Sequence, residues 1–183
     1  MIIGFGHRKR SGKDTCGQHL TDMFGYGRVA FADPLKQAAM IIFGLTEQQC
    51  YGTEQDKATI DPRWGKSPRQ LLQDLGESMR KIDENVWVKS AEAAIDRVLK
   101  DTVRFHGAVI TDVRHPNEAQ MIRSLGGIVV RVDRPSLGPL TDTHPSETSM
   151  EGFEYDEVIL NDGTIEDLHQ RVTKILMEYD GAQ

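Results

Sequence analysis

Five short apolar runs separated by helix-length stretches constrain this chain more than any other feature. They are "MIIGF" (1–5), "RVAFA" (28–32), "AVITDV" (108–113), "IVVRVD" (128–133) and "EVIL" (157–160). Short apolar runs that alternate with helical patterns argue for βα units and a parallel sheet with helices on both faces. The helical stretches carry their own punctuation. Lys13 to Phe24 stops at Gly25 and Gly27. Asp33 and Pro34 read as the cap and first residue of a helix that Gly44 closes. Thr46 to Tyr51 reads as a short helix, and Gly52 to Lys66 as a mobile loop. Ser67 and Pro68 open a helix through Met79, Asn85 to Lys100 shows a broad apolar face, and Pro116 to Leu125 ends at Gly126. Thr164 caps the last helix, to Tyr179, with Asp167 three residues on. The sum is one three-layer α/β/α domain over 1–183 with a five-stranded parallel sheet.

Ligands of such sheets bind beyond the carboxyl ends of the strands. After the first strand comes "GFGHRKRSGKDT" (4–15). The phosphate-loop pattern is G-x-x-x-x-G-K-[ST]. Gly12 and Lys13 fit it. His7 stands where the first glycine belongs, with Gly6 one place early. Asp14 stands where Ser or Thr belongs, with Thr15 one place late. The physical logic survives both departures. Gly12 lets backbone N–H groups approach a phosphate, the helix start at Lys13 offers donors and a positive dipole end, and Lys13 is a mobile charge. Arg8, Lys9 and Arg10 add positive charge. The alternative is a glycine turn with solvated basic residues; the position between strand and helix favours phosphate. Arg10, Ser11, Gly12, Lys13, Asp14 and Thr15 are therefore the candidate phosphate-binding residues, those of an ATP site if the phosphate is a nucleotide's. Asp14 is a candidate Mg²⁺ ligand, since a carboxylate is a hard-oxygen donor; otherwise its charge merely suits a helix N-terminus.

The other strand ends supply further candidates. Asp33 and Lys36 follow the second strand, and Asp33 could bind a substrate hydroxyl, join a metal shell or only cap its helix. Asp112 ends the third strand as the metal-associated acid of phosphate-loop enzymes does, and Arg114 can grip a phosphate bidentately. The alternative is a structural Asp–Arg pair. Arg131 lies in the fourth strand on the face opposite Val130 and Val132. The loop of about 134–151 carries Asp142, His144, Ser146 and Glu147; His144 is a base by type, with a structural or substrate-contact role favoured.

Composition removes several function classes. A net charge of -6 argues against a dedicated nucleic-acid binder. No apolar run approaches the roughly 20 residues a membrane helix needs, and a strand at Met1 leaves no signal-peptide pattern. Cys16 and Cys50 form no disulfide framework or metal spacing, which suits a reducing cytoplasm; Cys16 reads as a small core residue.

Five motifs now stand in order: "RSGKDT" (10–15), "FADPLK" (31–36), "SPRQLLQDLGE" (67–77), "VITDVRHPNEA" (109–119) and "HPSE" (144–147). In this order they resemble phage deoxynucleoside monophosphate kinases over nearly the whole chain. Animal phosphomevalonate kinases have a similar S-G-K-D loop, so the loop alone does not set the substrate. The resemblance implies a phosphate-loop kinase with an adenylate-kinase-like fold, a moving substrate segment at about 45–85 and a lid at about 134–151. It implies Mg²⁺-assisted transfer of the ATP γ-phosphoryl to a deoxynucleoside 5′-monophosphate, a homodimer in many members, and a host cytoplasm if phage-encoded. Lys13, Asp14 and Thr15 match its ATP loop, Arg69 and Gln73 the helix at the monophosphate and base, and Arg114 the arginine of D-V-R. Lys13, Arg114 and Asp112 are then the catalytic candidates, and Asp33, Lys36, Arg69, Gln73, Arg114 and Arg131 the substrate-binding ones. Trp87 is a candidate stacking wall, with ordinary core the favoured reading. The Gly52–Lys66 loop, with Lys57, Arg63 and Trp64, is a candidate cover. Rival readings are a kinase of another small acceptor, phosphorylation of a hydroxyl with Asp33 as base, or an ATP-binding regulator without catalysis.

Overall fold

The computed structural model describes residues 1–138 and 144–180. Asp142 and the side chain of Ser146 lie outside the described residues, as does part of the expected lid. The chain divides into two compact units, one of residues 1–30 and 91–183, the other of residues 31–90.

The first unit holds all five strands: β1 (Ile2–Gly6), β2 (Tyr26–Val29), β3 (Gly107–Val113), β4 (Ile128–Asp133) and β5 (Glu157–Leu160). They form one parallel sheet in the order β2-β3-β1-β4-β5. Parallel strands covered on both faces read as unbroken apolar runs; every residue of β1 is buried. Helix α1 (Lys13–Phe24) follows β1. Further along the chain come α7 (Pro116–Ser124), α8 (Pro145–Thr148) and α9 (Ile165–Asp180). Ile3, Phe5, Cys16, Leu20, Val130, Val132, Leu168 and Val172 join one core between the sheet, α1 and α9. Cys16 is fully buried, and burial pushes its thiol up to about 12. It is a core residue and not a nucleophile. Thr164 and Asp167 exchange bonds at the start of α9, as their spacing predicts.

The second unit is helical: α2 (Ala32–Phe43), α3 (Glu47–Tyr51), α4 (Glu54–Ala58) and α5 (Pro68–Ile82). Helix α6 (Val86–Lys100) carries the boundary between the units. Ala39, Leu45, Cys50 and Leu71 form the unit's core, with Met40, Phe43, Leu72 and Leu75 against it. Three details differ from expectation. β2 ends at Val29, so α2 starts at Ala32 with Phe31 at its N-cap position; Asp33 lies inside the first turn and does not cap. The stretch expected to be a loop contains α4 and a turn bridged from Asp61 to Lys66. In that turn the buried Asp61 carboxylate takes three bonds from Arg63, whose guanidinium holds it well below the usual carboxylate range. Arg63 and Trp64 also donate to the Gly44 and Phe43 carbonyls, so both side chains are tied to the end of α2. Trp87 is 6% exposed and donates to the Gly76 carbonyl; it is core, not a stacking wall.

Candidate functional site

The loop between β1 and α1 is bent by its surroundings. His7, Arg10 and Gly12 have φ values of 96°, 63° and 112°. A non-glycine residue in this region is strained by about 1–3 kcal/mol and persists only where the fold imposes it. The first of these is the position where the phosphate-loop pattern carries glycine. Gly12 is the N-cap of α1, and no side chain caps the helix. A Cβ at Gly12 would come within 2.6 Å of Asn161 Nδ2, the amide that donates to the Ser11 carbonyl. The opening turn of α1 thus relies on no side-chain cap, and its dipole end favours an anion. Ser11 is fully buried and its Oγ has no protein partner.

Lys13 is 6% exposed, and its Nζ donates to the Arg8 carbonyl at 2.5 Å. Burial first, and the Arg114 charge second, push the ammonium down to about 8, against Asp14, Glu147 and Asp112. A desolvated cation gains more from an anionic ligand than an exposed one would. Asp14 is exposed and accepts a bond from Thr111 Oγ1 at 3.0 Å. Thr15 is half-buried, Arg10 is exposed, and Asp112 sits half-buried one residue before the end of β3. Asp14 and Asp112 are hard-oxygen donors of the kind magnesium takes. No group of three metal-ligating side chains gathers among the described residues.

Arg114 follows β3 on a turn organised by Glu118. That carboxylate is 2% exposed and accepts from the backbone N–H groups of Arg114 and His115 at 2.7 and 3.1 Å. The Arg114 guanidinium pairs with Glu147 of α8. Glu147 also accepts the Lys9 backbone N–H of the loop at 3.2 Å. Next to this pair lies a cavity of about 310 Å³, lined by His7, Arg8, Arg114, Arg131, Asp133 and Glu147 among others. Arg131 pairs with Asp133 at 3.0 Å, and His7 Nε2 lies 3.5 Å from the same carboxylate. Burial, with the Arg131 charge, lowers His7 to about 4, so it is neutral near pH 7. Arg131 Nε and the Tyr155 hydroxyl are buried without a protein partner.

The remaining candidates lie in the second unit. Tyr51 donates to Asp33 Oδ1 at 3.3 Å, and Lys36 Nζ lies 4.2 Å over the Tyr51 ring. Arg69, in the first turn of α5, pairs with Glu54 at 2.8 Å. Gln73 is half-buried one turn further along α5. The structure thus gathers Lys13, Asp14, Asp112 and Arg114 around the loop, with Arg131 on the adjoining cavity, and gathers Asp33 and Lys36 around Tyr51. Sequence reasoning named Glu147 only as part of the 134–151 loop and its HPSE motif, without a role, and missed Thr111, Asn161 and Tyr51 as members of these groups. Asn161 directly follows β5, and a search of every strand end would have found it.

Comparison with known proteins bears on these groups. A family model described as deoxynucleotide monophosphate kinase matches residues 53–172. That match lies wholly outside residues 4–15, so it does not rest on a glycine–lysine motif shared by many enzymes. A protein of Acanthamoeba polyphaga mimivirus, provisionally named deoxynucleotide monophosphate kinase, is 36% identical over 185 residues, covering 94% of this chain and 94% of its own length. The deoxynucleotide monophosphate kinase of Escherichia phage RB69 is 35% identical over 120 residues, 64% of this chain and 47% of its own length. The chain spans about half the length of that phage relative. Among solved structures, a dephospho-CoA kinase from Campylobacter jejuni matches over 100% of this chain and 98% of its own, with a TM-score of 0.54 at 14% identity. At that identity the likeness is one of fold, and it agrees with the parallel α/β architecture.

Proposed function

The chain belongs to the deoxynucleotide monophosphate kinase family, and from that premise we propose that it moves the γ-phosphoryl of ATP to a deoxynucleoside 5′-monophosphate with Mg²⁺. The observation that carries the ATP side is the uncapped start of α1, beside a lysine desolvated enough to be pushed down to about 8. Arg10, Ser11, Gly12, Lys13 and Thr15 hold the outer phosphates, through backbone N–H groups, the Ser11 and Thr15 hydroxyls and the Lys13 ammonium. Asp14 and Asp112 are the residues that would hold Mg²⁺, which when bound neutralises phosphate charge.

The acceptor is already an anion, so no strong general base is required. Catalysis rests on in-line positioning and on cations aimed at the charge that develops on the transferred group. Lys13 and Arg114 supply those cations. Arg131 extends the positive lining of the cavity. Asp33, Lys36, Arg69 and Gln73 recognise the acceptor, its phosphate through Lys36 and Arg69 and its base and sugar through Gln73 and Asp33. The segment at about 45–85 moves during the cycle, and water exclusion then limits wasteful ATP hydrolysis. The homodimer and the host-cytoplasmic setting belong to the same proposal; sedimentation velocity measures the first.

The test is an ADP-release assay over the four deoxynucleoside monophosphates, their ribose counterparts, unphosphorylated nucleosides and phosphomevalonate. Turnover of one or more deoxynucleoside monophosphates, above every other acceptor, is expected. Turnover of nucleosides or phosphomevalonate alone would replace the acceptor. ATP binding without ADP release on any acceptor would make the chain a regulator and end the kinase reading.

A further inference from the structure

Among the described residues Glu147 has two partners, and both belong to the groups assigned to phosphate. One carboxylate oxygen takes the guanidinium of Arg114, and the other takes the backbone N–H of Lys9 in the phosphate loop, 138 residues away in sequence. The Glu147 side chain is 6% exposed, against 31% for Arg114. A carboxylate removed from water this far is tolerable only with charged or N–H partners in good geometry. Both residues line the 310 Å³ cavity beside the loop, together with Arg8 and Arg131. We propose that Glu147 is a positioning residue for phosphoryl transfer: its buried carboxylate fixes the Arg114 guanidinium and the front of the phosphate loop in one mutual arrangement.

The proposal rests on the kinase reading above, and its physics is that of preorganisation. Arginine is a flexible side chain whose planar fork is useful only when it is already aimed. The turn before it is fixed from within by Glu118, which holds the Arg114 backbone N–H. That bond sets where the side chain leaves the backbone but not where its guanidinium points. Glu147 supplies the second constraint, from α8, an element that comes from a distant part of the chain. The same carboxylate ties down Lys9, one residue before the strained Arg10, so the loop contour and the arginine are set by one group. A positioning group of this kind acts on the transition state more than on nucleotide affinity.

The experiment compares Glu147→Gln, Glu147→Asp, Arg114→Ala and the Arg114→Ala/Glu147→Gln double variant in the full chain. Steady-state dNMP kinase rates, ATP binding by calorimetry and thermal melting are measured for each. Glu147→Gln keeps an acceptor for Lys9 and removes the charge that holds Arg114. Its kcat is expected to fall by about a hundredfold, with ATP affinity little changed. Adding it to Arg114→Ala is expected to cost nothing further, because residues acting as a unit are non-additive. A folded Glu147→Gln with full kcat overturns the proposal. So does tighter ATP binding with unchanged kcat, which would make Glu147 a phosphate mimic displaced by nucleotide. Additive losses overturn it as well. If neither Glu147→Gln nor Glu147→Asp folds, Glu147 is a structural residue and the proposal falls. Wild-type protein that turns over no monophosphate sinks the kinase reading itself; active wild type with an undiminished variant sinks only the role of Glu147.

Discussion

Two kinds of helix start stand in this molecule. In the second unit, α3, α4 and α5 each begin with a complete capping box, Thr46 with Gln49, Thr53 with Asp56 and Ser67 with Gln70. Each box satisfies two backbone donors. In the first unit, α1 begins at a glycine with φ 112° and no side-chain cap, behind a loop with two strained non-glycine residues and before a buried lysine. The contrast is one of purpose. A capped helix start has its donors answered by its own chain. An uncapped one, with a desolvated cation beside it, keeps donors and a charge that a bound anion would answer, and under the proposed function the apo protein is less stable for it.

Lys13→Met gives the comparison its largest test. Removing the ammonium is expected to lower kcat/KM at least a hundredfold, about 3 kcal/mol of transition-state stabilisation. The folded protein is nonetheless expected to become more stable near neutral pH. The Lys13 ammonium sits at about 8 in the folded state, below its unfolded value of roughly 10.4. Its charge is therefore penalised on folding. That penalty is complete below pH 8 and disappears as pH rises towards 10.4, where the unfolded lysine also loses its proton. Allowing about 1 kcal/mol for the lost bond to the Arg8 carbonyl, the net gain is on the order of 2 kcal/mol. Urea midpoints of wild type and variant should converge from pH 8 upwards. A variant less stable than wild type at pH 7 would mean that the loop does not store strain in its lysine.

The same contrast explains what could be read from the chain. Capping signals are local, so Ser67 as a cap and Thr164 with Asp167 were legible a few residues at a time, and Thr46 only as the first residue of a short helix. Thr53 was not, because the surrounding glycine and proline suggested a loop. The start of α2 was misread because Gly27 looks like a helix terminator and is in fact inside β2. The stretch between β1 and α1 stood out because its twelve residues are consecutive, and His7, at a glycine position, does take the left-handed backbone that glycine usually supplies. What escaped was long-range. Thr111 reaches Asp14 across 97 residues, Asn161 reaches Ser11 across 150, and Glu147 reaches Lys9 across 138. No periodicity or local motif encodes such pairings; they appear only when the sheet order brings the strand ends together.

The opposite arm of the comparison is Thr46→Ala. It removes the acceptor for the Gln49 N–H, a bond of 3.1 Å, and half of a capping box on a five-residue helix. The expected cost is about 1 kcal/mol of stability, with kcat for the monophosphate unchanged. Chemical denaturation and the ADP-release assay check the two halves. A large fall in kcat without loss of stability would show that α3 is part of the catalytic apparatus, and the division between capped and uncapped starts would lose its meaning.

The smallest and sharpest effect belongs to His7→Gly, which restores the residue the phosphate-loop pattern expects. Relieving φ 96° is worth about 1 kcal/mol. The greater freedom of glycine in the unfolded chain opposes this by up to about 1 kcal/mol. The contact of His7 with Asp133 at 3.5 Å is lost too, and because His7 is neutral above about 4 that contact is no ion pair at neutral pH. The net change in stability is therefore expected to stay below about 1 kcal/mol, and turnover near pH 7 should persist. If so, the departure at position 7 is a tolerated strain, and the loop works through Gly12 and Lys13 whatever stands at its front. If kcat instead falls tenfold or more while nucleotide still binds, the imidazole itself acts on the substrate. The strain at His7 would then be the means by which the loop presents that ring, and the uncapped region would contain a third chemical group beside the lysine and the helix start.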